Sequence, residues 1–453
     1  MEVFGSSGVR GIVNDDLTPA FVLRVAAAAA TVWEADRVAI GRDTRRSGSM
    51  LADAAASGIA STGADVDRLG IIPTPGVQHY ATTEGVPALV ITASHNPPAY
   101  NGVKLVGADG IELAVPALER VEGALEAGSD TADWHAVGRQ TRVEGAREAY
   151  RQASLGAIDR DRIAAADLTV AVDPGHGAGA LVSPQVFRAL GCRVTTVHGQ
   201  PDGTFPGRDP EPVASNLDAL ADLVVAADAD LGIAHDGDAD RAIFVDETGR
   251  HVEGDAALAA LAAAVLEPGD ATVTAVNVSQ RLVDVVEATD AILELTPIGS
   301  SNIVTRIQAL QEEERRVPIA GEGNGGIFFP EHRLARDGTY AAARLLELVA
   351  ETPASELLEP YAGYANVRRK FTYESTGERE AMLGAVAALA ERTDAEVTTI
   401  DGHRFDHGDA WVLARPSGTE PVIRVYAEAP DPVRAETLAD EVADVMLAAV
   451  SPD

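Results

Sequence analysis

Residues 88–96 read ALVITASHN: an apolar, β-branched run passes straight into a polar loop that Pro97 closes. A run this short and uniformly apolar fits a strand buried on both faces of a parallel sheet. Its Ser, His and Asn would then sit beyond the strand's carboxyl end. Two further stretches repeat the design, LGIAHDGDADR (231–241) and VPIAGEGNGG (317–326), each ending in a loop rich in Gly, Asp or Glu. Each of the three closes a set. VAIGRD (38–43) and a strand near 68–72 precede the first. LTVAVDPGHGAG (168–179) and CRVTTVHG (192–199) precede the second, and ATVTAVNVSQR (271–281) and AILELTPIGSSN (291–302) precede the third. Helical stretches rich in Ala, Leu, Asp and Glu separate the strands, which is the pattern of βαβ units. This predicts three similar mixed-sheet α/β domains whose loops face a central cleft, the place where open α/β sheets bind ligands.

After about residue 366 the pattern changes to strands plus helices, ending in a helix over about 431–449. A smaller C-terminal α+β domain is expected there. The boundaries read as 1–150, 151–252, 253–365 and 366–453, with 125–153 as the junction between the first two domains.

The 453 residues are 46% hydrophobic and 23% charged, ordinary for a globular chain, but only 4% aromatic, so Ala, Val, Leu and Ile must build the cores. The single cysteine, Cys192, excludes an intrachain disulfide and any Cys-rich metal site. No signal peptide is read in the first thirty residues, where Asp15, Asp16 and Pro19 precede the Ala run, and no apolar run is long enough to span a membrane. A cytoplasmic chain, a monomer or homodimer, is expected. The net charge of −34 repels phosphate backbones and argues against nucleic-acid binding. Among the 36 basic residues only Lys104 and Lys370 are lysines. A GC-rich genome accounts for the scarcity of Lys but not for the acidic excess, which fits a high-salt cytoplasm.

Several loops could carry chemistry. In TASHNP (92–97), Ser94 at a strand end beside His95 and Asn96 could serve as a nucleophile, although all of these are also turn residues. DGDADR (236–241) places Asp236, Asp238 and Asp240 at alternating positions. Three carboxylates so close repel one another unless a hard cation joins them, and oxygen-only ligation suits Mg²⁺. An EF-hand is excluded, because its sixth position must be Gly and is Arg241 here. A phosphatase of the haloacid-dehalogenase type, with Asp236 as nucleophile, is a rival reading, and a solvated acidic turn is the plain one. FGSSGVRG (4–11) brings Arg10, GRDTR (41–45) brings Arg42 and Arg45, and RPSGTEP (415–421) brings Arg415, Ser417, Gly418 and Thr419. Each segment alone is a turn. Together they place cations and phosphate donors in the loops of a strongly negative chain. No GxxxxGK[ST] is present, so a P-loop is not indicated.

FGSSGVRG, GRDTR, TASHNP, DGDADR, GEGNG and RPSGTEP occur in the order and spacing of the α-D-phosphohexomutases, and from residue 4 to at least 424 the chain resembles that family, archaeal members included. The resemblance implies an isomerase that moves a phosphoryl group between the 6- and 1-positions of a hexose phosphate, through a phosphoserine enzyme and a hexose 1,6-bisphosphate. It implies that Ser94 is the phosphorylated serine, and that Asp236, Asp238 and Asp240, with an oxygen of the phosphoserine, hold Mg²⁺. Arg10, Lys104 and His95 match positions around the transferring phosphoryl, with Lys104 a candidate acid/base. Arg241, Glu322 and Asn324 match substrate-binding positions, and Arg415, Ser417, Gly418 and Thr419 match the loop that holds the non-reacting phosphate. The sugar loop departs from the common G-E-x-S-G-H: Asn324 stands at the serine position and Gly326 at the histidine position. Asn there is found in archaeal members and in phospho-N-acetylglucosamine mutases, which implies an amino-sugar phosphate as substrate, with a phosphomannomutase or phosphoglucomutase as the alternative. His332 is a nearby candidate for the missing histidine's role. His176, His235, His403 and His407 are expected to be structural or on the surface.

Overall fold

The computed structural model describes Phe4, residues 8–417 and residues 421–450. Four sheets follow one another along the chain. Across the first run Val9–Ile12, Tyr100–Val106, Ala88–Ile91, Arg37–Arg42, Asp65–Ile71 and Gln140–Arg142. The second runs His251–Val252, Ile243–Asp246, Leu231–Ala234, Thr169–Asp173 and Arg193–Thr196. The third runs Ile292–Thr296, Ala271–Ala275, Ile319–Glu322, Gly326–Phe329 and Arg333–Arg336. In each, the strand that opens the unit lies between the second and third, parallel to both. The fourth strand then turns back antiparallel to the third. The three loops singled out in the sequence are thus one structural element used three times, the hairpin between the third and fourth strands of each repeat. The sheets are mixed, as expected.

The central strands Ala88–Ile91 and Leu231–Ala234 are buried throughout, because helices cover both faces. The scarcity of aromatics is met by close helix packing. Helices Pro19–Trp33 and Gly48–Ser61 bury Ala26, Ala28, Ala29, Ala52, Ala55 and Ala56 in one cluster. A Cβ on Gly58 would come within 2.2 Å of the Leu23 carbonyl oxygen, so the two backbones meet at a distance only glycine allows.

The fourth sheet is antiparallel throughout, ordered Ala365–Thr372, Val422–Ala429, Trp411–Pro416, His403–Asp406 and Glu396–Thr398. Helices Thr376–Ala390 and Pro432–Ala448 pack on it around Met382, Val386, Leu438, Val442 and Met446. It docks on the third domain through a buried carboxylate. Glu428 accepts from Arg281 Nη1 at 3.1 Å, Ser279 Oγ at 3.0 Å and the Gln280 amide at 2.6 Å.

Residues 125–153 do more than join two domains. The short strand Gln140–Arg142 adds a parallel edge to the first sheet beside Val66–Arg68. Helix Ala146–Gly156 then carries Tyr150 into the core shared by the second and third domains, where its hydroxyl donates to Asp337 at 2.7 Å.

Candidate active site

The Ser94 loop is held from beneath. Asp43, at the end of the unit's first strand, accepts from Thr92 Oγ1 at 2.7 Å and from Arg45 Nε at 3.0 Å. Arg45 is fully buried and spends its remaining donors on the loop's carbonyls: Ser94 at 2.9 Å, Asn96 at 2.5 Å, Pro97 at 2.7 Å and Tyr100 at 3.0 Å. A planar fork with five donors can satisfy four carbonyls and a carboxylate at once; an ammonium could not. Arg45 is therefore a brace and not a phosphate ligand, which corrects its reading as a phosphate-facing cation of GRDTR. The second domain repeats the device. Asp173, also at the end of a first strand, pairs with buried Arg208 at 2.8 Å, and Arg208 donates to the His235 carbonyl at 2.6 Å.

Two loop apices store backbone strain. Ser94 has φ +49° and Ala239 has φ +54°, the left-handed region where a non-glycine residue costs of order 1 kcal/mol or more. The loops meet there. Gly237 lies so close that a Cβ would stand 2.6 Å from the Ser94 carbonyl oxygen. Ser94 Oγ donates to Asp236 Oδ2 at 2.5 Å, and His95 Nδ1 lies 3.2 Å from the same hydroxyl. Burial, then Arg241 and Arg10, push His95 down to about 2, so its ring is neutral.

Asp236, Asp238 and Asp240 are buried, each with a carboxylate oxygen within 4.8 Å of the others. Burial, then repulsion from Asp240 and Asp238, raise the Asp236 carboxyl well above its ordinary value. Burial would also raise Asp240, but Arg336, Lys104 and Arg241 outweigh it and hold that carboxyl well below. Asp238 Oδ2 accepts from Thr74 Oγ1 at 2.6 Å. Asp238 Oδ1 and Asp240 Oδ1 are buried without a hydrogen-bond partner. Two orphaned carboxylate oxygens, beside a third carboxylate and with no N or S donor in the set, fit a hard divalent cation such as Mg²⁺.

Cations close the other side. Lys104 Nζ stands 3.0 Å from Asp240, 3.3 Å from Asp238 and 3.5 Å from Glu112. Burial works against its charge, but Asp238, Asp240 and Glu112 prevail and raise its pKa. Arg10 Nη1 donates to Asn96 Oδ1 at 2.8 Å, and Arg241 Nε lies 3.9 Å from Asp240. Arg336 joins two domains: Nη2 donates to Asp240 at 2.6 Å, and Nη1 lies 3.8 Å from Glu322 in the GEGNG loop. A Cβ on Gly326 would come within 2.6 Å of Arg336 Cδ, so Arg336 fills the space that a side chain at 326 would need. Asn324 is exposed, and its Oδ1 is engaged locally with the Gly326 amide at 3.0 Å, leaving the amide NH₂ to act as donor.

The structure thus brings together Ser94, His95, Arg10, Lys104, Asp236, Asp238, Asp240, Arg241 and Glu322. His332 does not join them. It lies beyond Phe329, at the end of the strand Gly326–Phe329 remote from Glu322, stacked on Tyr340 with ring centroids 3.9 Å apart. His235 is structural, its Nδ1 2.8 Å from the Arg241 carbonyl. Arg415 pairs with Asp401 at 3.0 Å, and Ser417 follows it at the strand end; Gly418 and Thr419 lie outside the described residues. Sequence reasoning missed Arg336, Thr74 and Glu112. Arg336 ends the short strand RLAR just before the helix-capping Asp337, the one local sign that it stands at a strand end.

Comparison with known proteins gives the same picture. Four family models of phosphoglucomutase/phosphomannomutase match in order: α/β/α domain I at residues 1–132, domain II at 148–249, domain III at 253–364 and the C-terminal domain at 370–445. A Thermococcus kodakarensis protein named phosphoglucomutase/phosphomannomutase is 41% identical, with 94% of each chain covered. A Methanopyrus kandleri protein named probable phosphoglucosamine mutase is 37% identical, covering 98% of this chain and 97% of its own. A crystal structure of a phosphoglucomutase/phosphomannomutase family protein from Burkholderia thailandensis superposes with a TM-score of 0.85 at 28% identity, covering 99% of this chain and 97% of that one.

Proposed function

The chain belongs to the phosphoglucomutase/phosphomannomutase family, and on that premise we propose that it isomerises hexose phosphates, with phosphorylated Ser94 as the phosphoryl carrier and a glucosamine phosphate as preferred substrate. The observation that carries this reading is the 2.5 Å contact of Ser94 Oγ with the buried Asp236–Asp238–Asp240 cluster. It also weakens the rival reading of Asp236 as a phosphatase nucleophile, because that carboxylate belongs to a cluster suited to a cation and is engaged by the serine.

The three aspartates, with an oxygen of phosphoSer94, would hold Mg²⁺, which when bound neutralises charge on the transferring phosphoryl group. Around the reacting oxygen stand five carboxylates, the three aspartates with Glu112 and Glu322, against the four cations Lys104, Arg336, Arg10 and Arg241. A divalent cation turns that −1 into +1, which offsets part of the roughly −2 that the phosphoserine itself brings. Phosphoryl transfer breaks the Ser94 Oγ–P bond as a bond forms from P to a sugar hydroxyl oxygen. The hydroxyl's proton passes, by way of a phosphoryl oxygen, to Ser94 Oγ as that oxygen leaves, and neutral His95, with Nδ1 3.2 Å from Oγ, flanks the reacting oxygen. Lys104, kept protonated by three carboxylates, serves as a fixed cation. The resulting hexose 1,6-bisphosphate turns round and returns its other phosphate to Ser94. Arg415, Ser417, Gly418 and Thr419 would grip whichever phosphate is distal, on a domain joined to the third by a polar interface.

Glu322 as acceptor and the Asn324 amide as donor suit an amino or acetamido group at C2, and the relatives above include one named for glucosamine. The other above carries the name phosphoglucomutase/phosphomannomutase, which keeps hexose phosphates as the second reading. The test is kcat/KM for glucosamine 6-phosphate, glucose 1-phosphate and mannose 1-phosphate, with Asn324→Ser beside the wild type. A glucosamine phosphate turned over at least as well as the others is expected. A preference for mannose 1-phosphate above about tenfold, roughly 1.4 kcal/mol at the transition state, would replace this reading with a phosphomannomutase.

A further inference from the structure

A cleft of about 1020 Å³ lies away from the phosphoryl site, between the edge of the first sheet and the start of the second domain. Among the described residues, none assigned above to phosphoryl transfer or to sugar binding lines it. Arginine makes up 34 of 453 residues, so seventeen lining positions would carry one or two; they carry five, Arg42, Arg68, Arg142, Arg147 and Arg151. Only Glu144 and Glu148 oppose them on the lining, leaving it net +3 on a chain of net charge −34.

Two of the arginines are paired, Arg68 with Asp53 and Arg151 with Glu148. The other three have no carboxylate partner among the described residues. Arg42 is half-buried and bonded only to the Asp43 carbonyl at 3.0 Å; burial pushes its pKa down, against the attraction of the Asp43 carboxylate, and Arg68 adds repulsion. Helix Ala146–Gly156 begins at the same wall, after Gly145 at φ +88°, and no side chain caps it, so its first amides add donors. Ile40, Leu69, Val143 and Leu181 supply apolar surface, and no aromatic ring lines the cleft.

We propose that this cleft binds a small metabolite carrying two or more phosphate groups, at a site distinct from the phosphoryl-transfer centre. Three guanidinium groups without an ion-paired carboxylate demand more negative charge than a single phosphate brings, since each pairs best with its own pair of phosphate oxygens. The volume, at the top of the usual range for small-molecule sites of about 300–1,000 Å³, leaves room for an organic body over the apolar wall. With no ring to stack a base, recognition rests on the phosphates. Arg42 also places the site one residue from Asp43, which anchors the Ser94 loop.

The test is calorimetric titration of the full chain with inorganic pyrophosphate, in EDTA and at fixed KCl, on wild type, Arg415→Ala and Arg142→Glu/Arg147→Glu. The double change turns the lining from +3 to −1, and both side chains are exposed, so the fold is expected to stand. The expected result is one pyrophosphate site that persists in Arg415→Ala and weakens at least tenfold in the double variant. Its unliganded melting temperature and its mutase kcat should match the wild type. Binding lost in Arg415→Ala and indifferent to the double charge reversal, or no binding at all, would overturn the proposal.

Discussion

Ser94 Oγ and Asp236 Oδ2 lie 2.5 Å apart although 142 residues separate them in sequence. The contact exists because the first two repeats present the same hairpin to each other, and because a glycine at 237 lets the backbones close. It ties the proposed phosphoryl carrier to a carboxylate cluster that, without a cation, works against itself.

Replacing one carboxylate of that cluster should therefore separate function from stability. In Asp238→Asn the amide NH₂ can take the place of Oδ1, which has no partner, while the oxygen keeps the bonds from Thr74 and Lys104. Mg²⁺ affinity should fall more than tenfold, and turnover about 10²-fold, roughly 3 kcal/mol. The melting temperature in EDTA should hold or rise. Titration calorimetry with Mg²⁺ and a thermal melt in EDTA check both.

Arg45→Ala should behave in the opposite way. It strands the buried Asp43 carboxylate and four loop carbonyls, so unfolding should become easier by about 3–5 kcal/mol. Denaturant unfolding measures this, and Arg45→Lys should restore only part of the loss because it lacks the fork.

Much of this fold was legible because its central strands are buried on both faces and so read as unbroken apolar runs, ALVIT and LGIA among them. The edge strand Gln140–Arg142 was not, since QTR is wholly exposed and shows no alternation. Ser94 and the three aspartates were legible because each loop concentrates its chemistry within six residues. Arg336, Thr74 and Glu112 reach the same cluster from distant segments, and nothing local marks them. Arg45 was legible as a cation but not as a brace, because its role follows from burial, which a pentapeptide does not reveal.

Asp255 gives a pH signature. It lies against Gly323 of the sugar loop, where burial, then the nearby Glu428, push its carboxyl up to about 6. A raised carboxyl pKa contributes stability below its unfolded value, and that contribution is lost as pH rises through about 6. Asp255→Asn should therefore melt higher than wild type at pH 8, by a few degrees at about 2–4 °C per kcal/mol. The difference should shrink toward zero by pH 4. Melts across pH 4–8 test the crossover.

Salt tests the composition. Screening shortens from about 10 Å at 0.1 M to about 3 Å at 1 M, so a −34 chain adapted to high salt should gain melting temperature and activity steeply between low and molar KCl. A flat response would leave codon bias as the source of the arginine-for-lysine pattern.

The phosphate on Ser94 tests the central claim most directly. Wild-type enzyme incubated with hexose 1,6-bisphosphate should show one added phosphate by intact mass, mapped by peptide fragmentation to Ser94, and should lose it on mixing with hexose 6-phosphate. Ser94→Ala should carry none and lose at least about 10³-fold in turnover, roughly 4 kcal/mol. A Ser94→Ala enzyme with wild-type turnover, or a transferable phosphate mapped to another residue, would contradict the account.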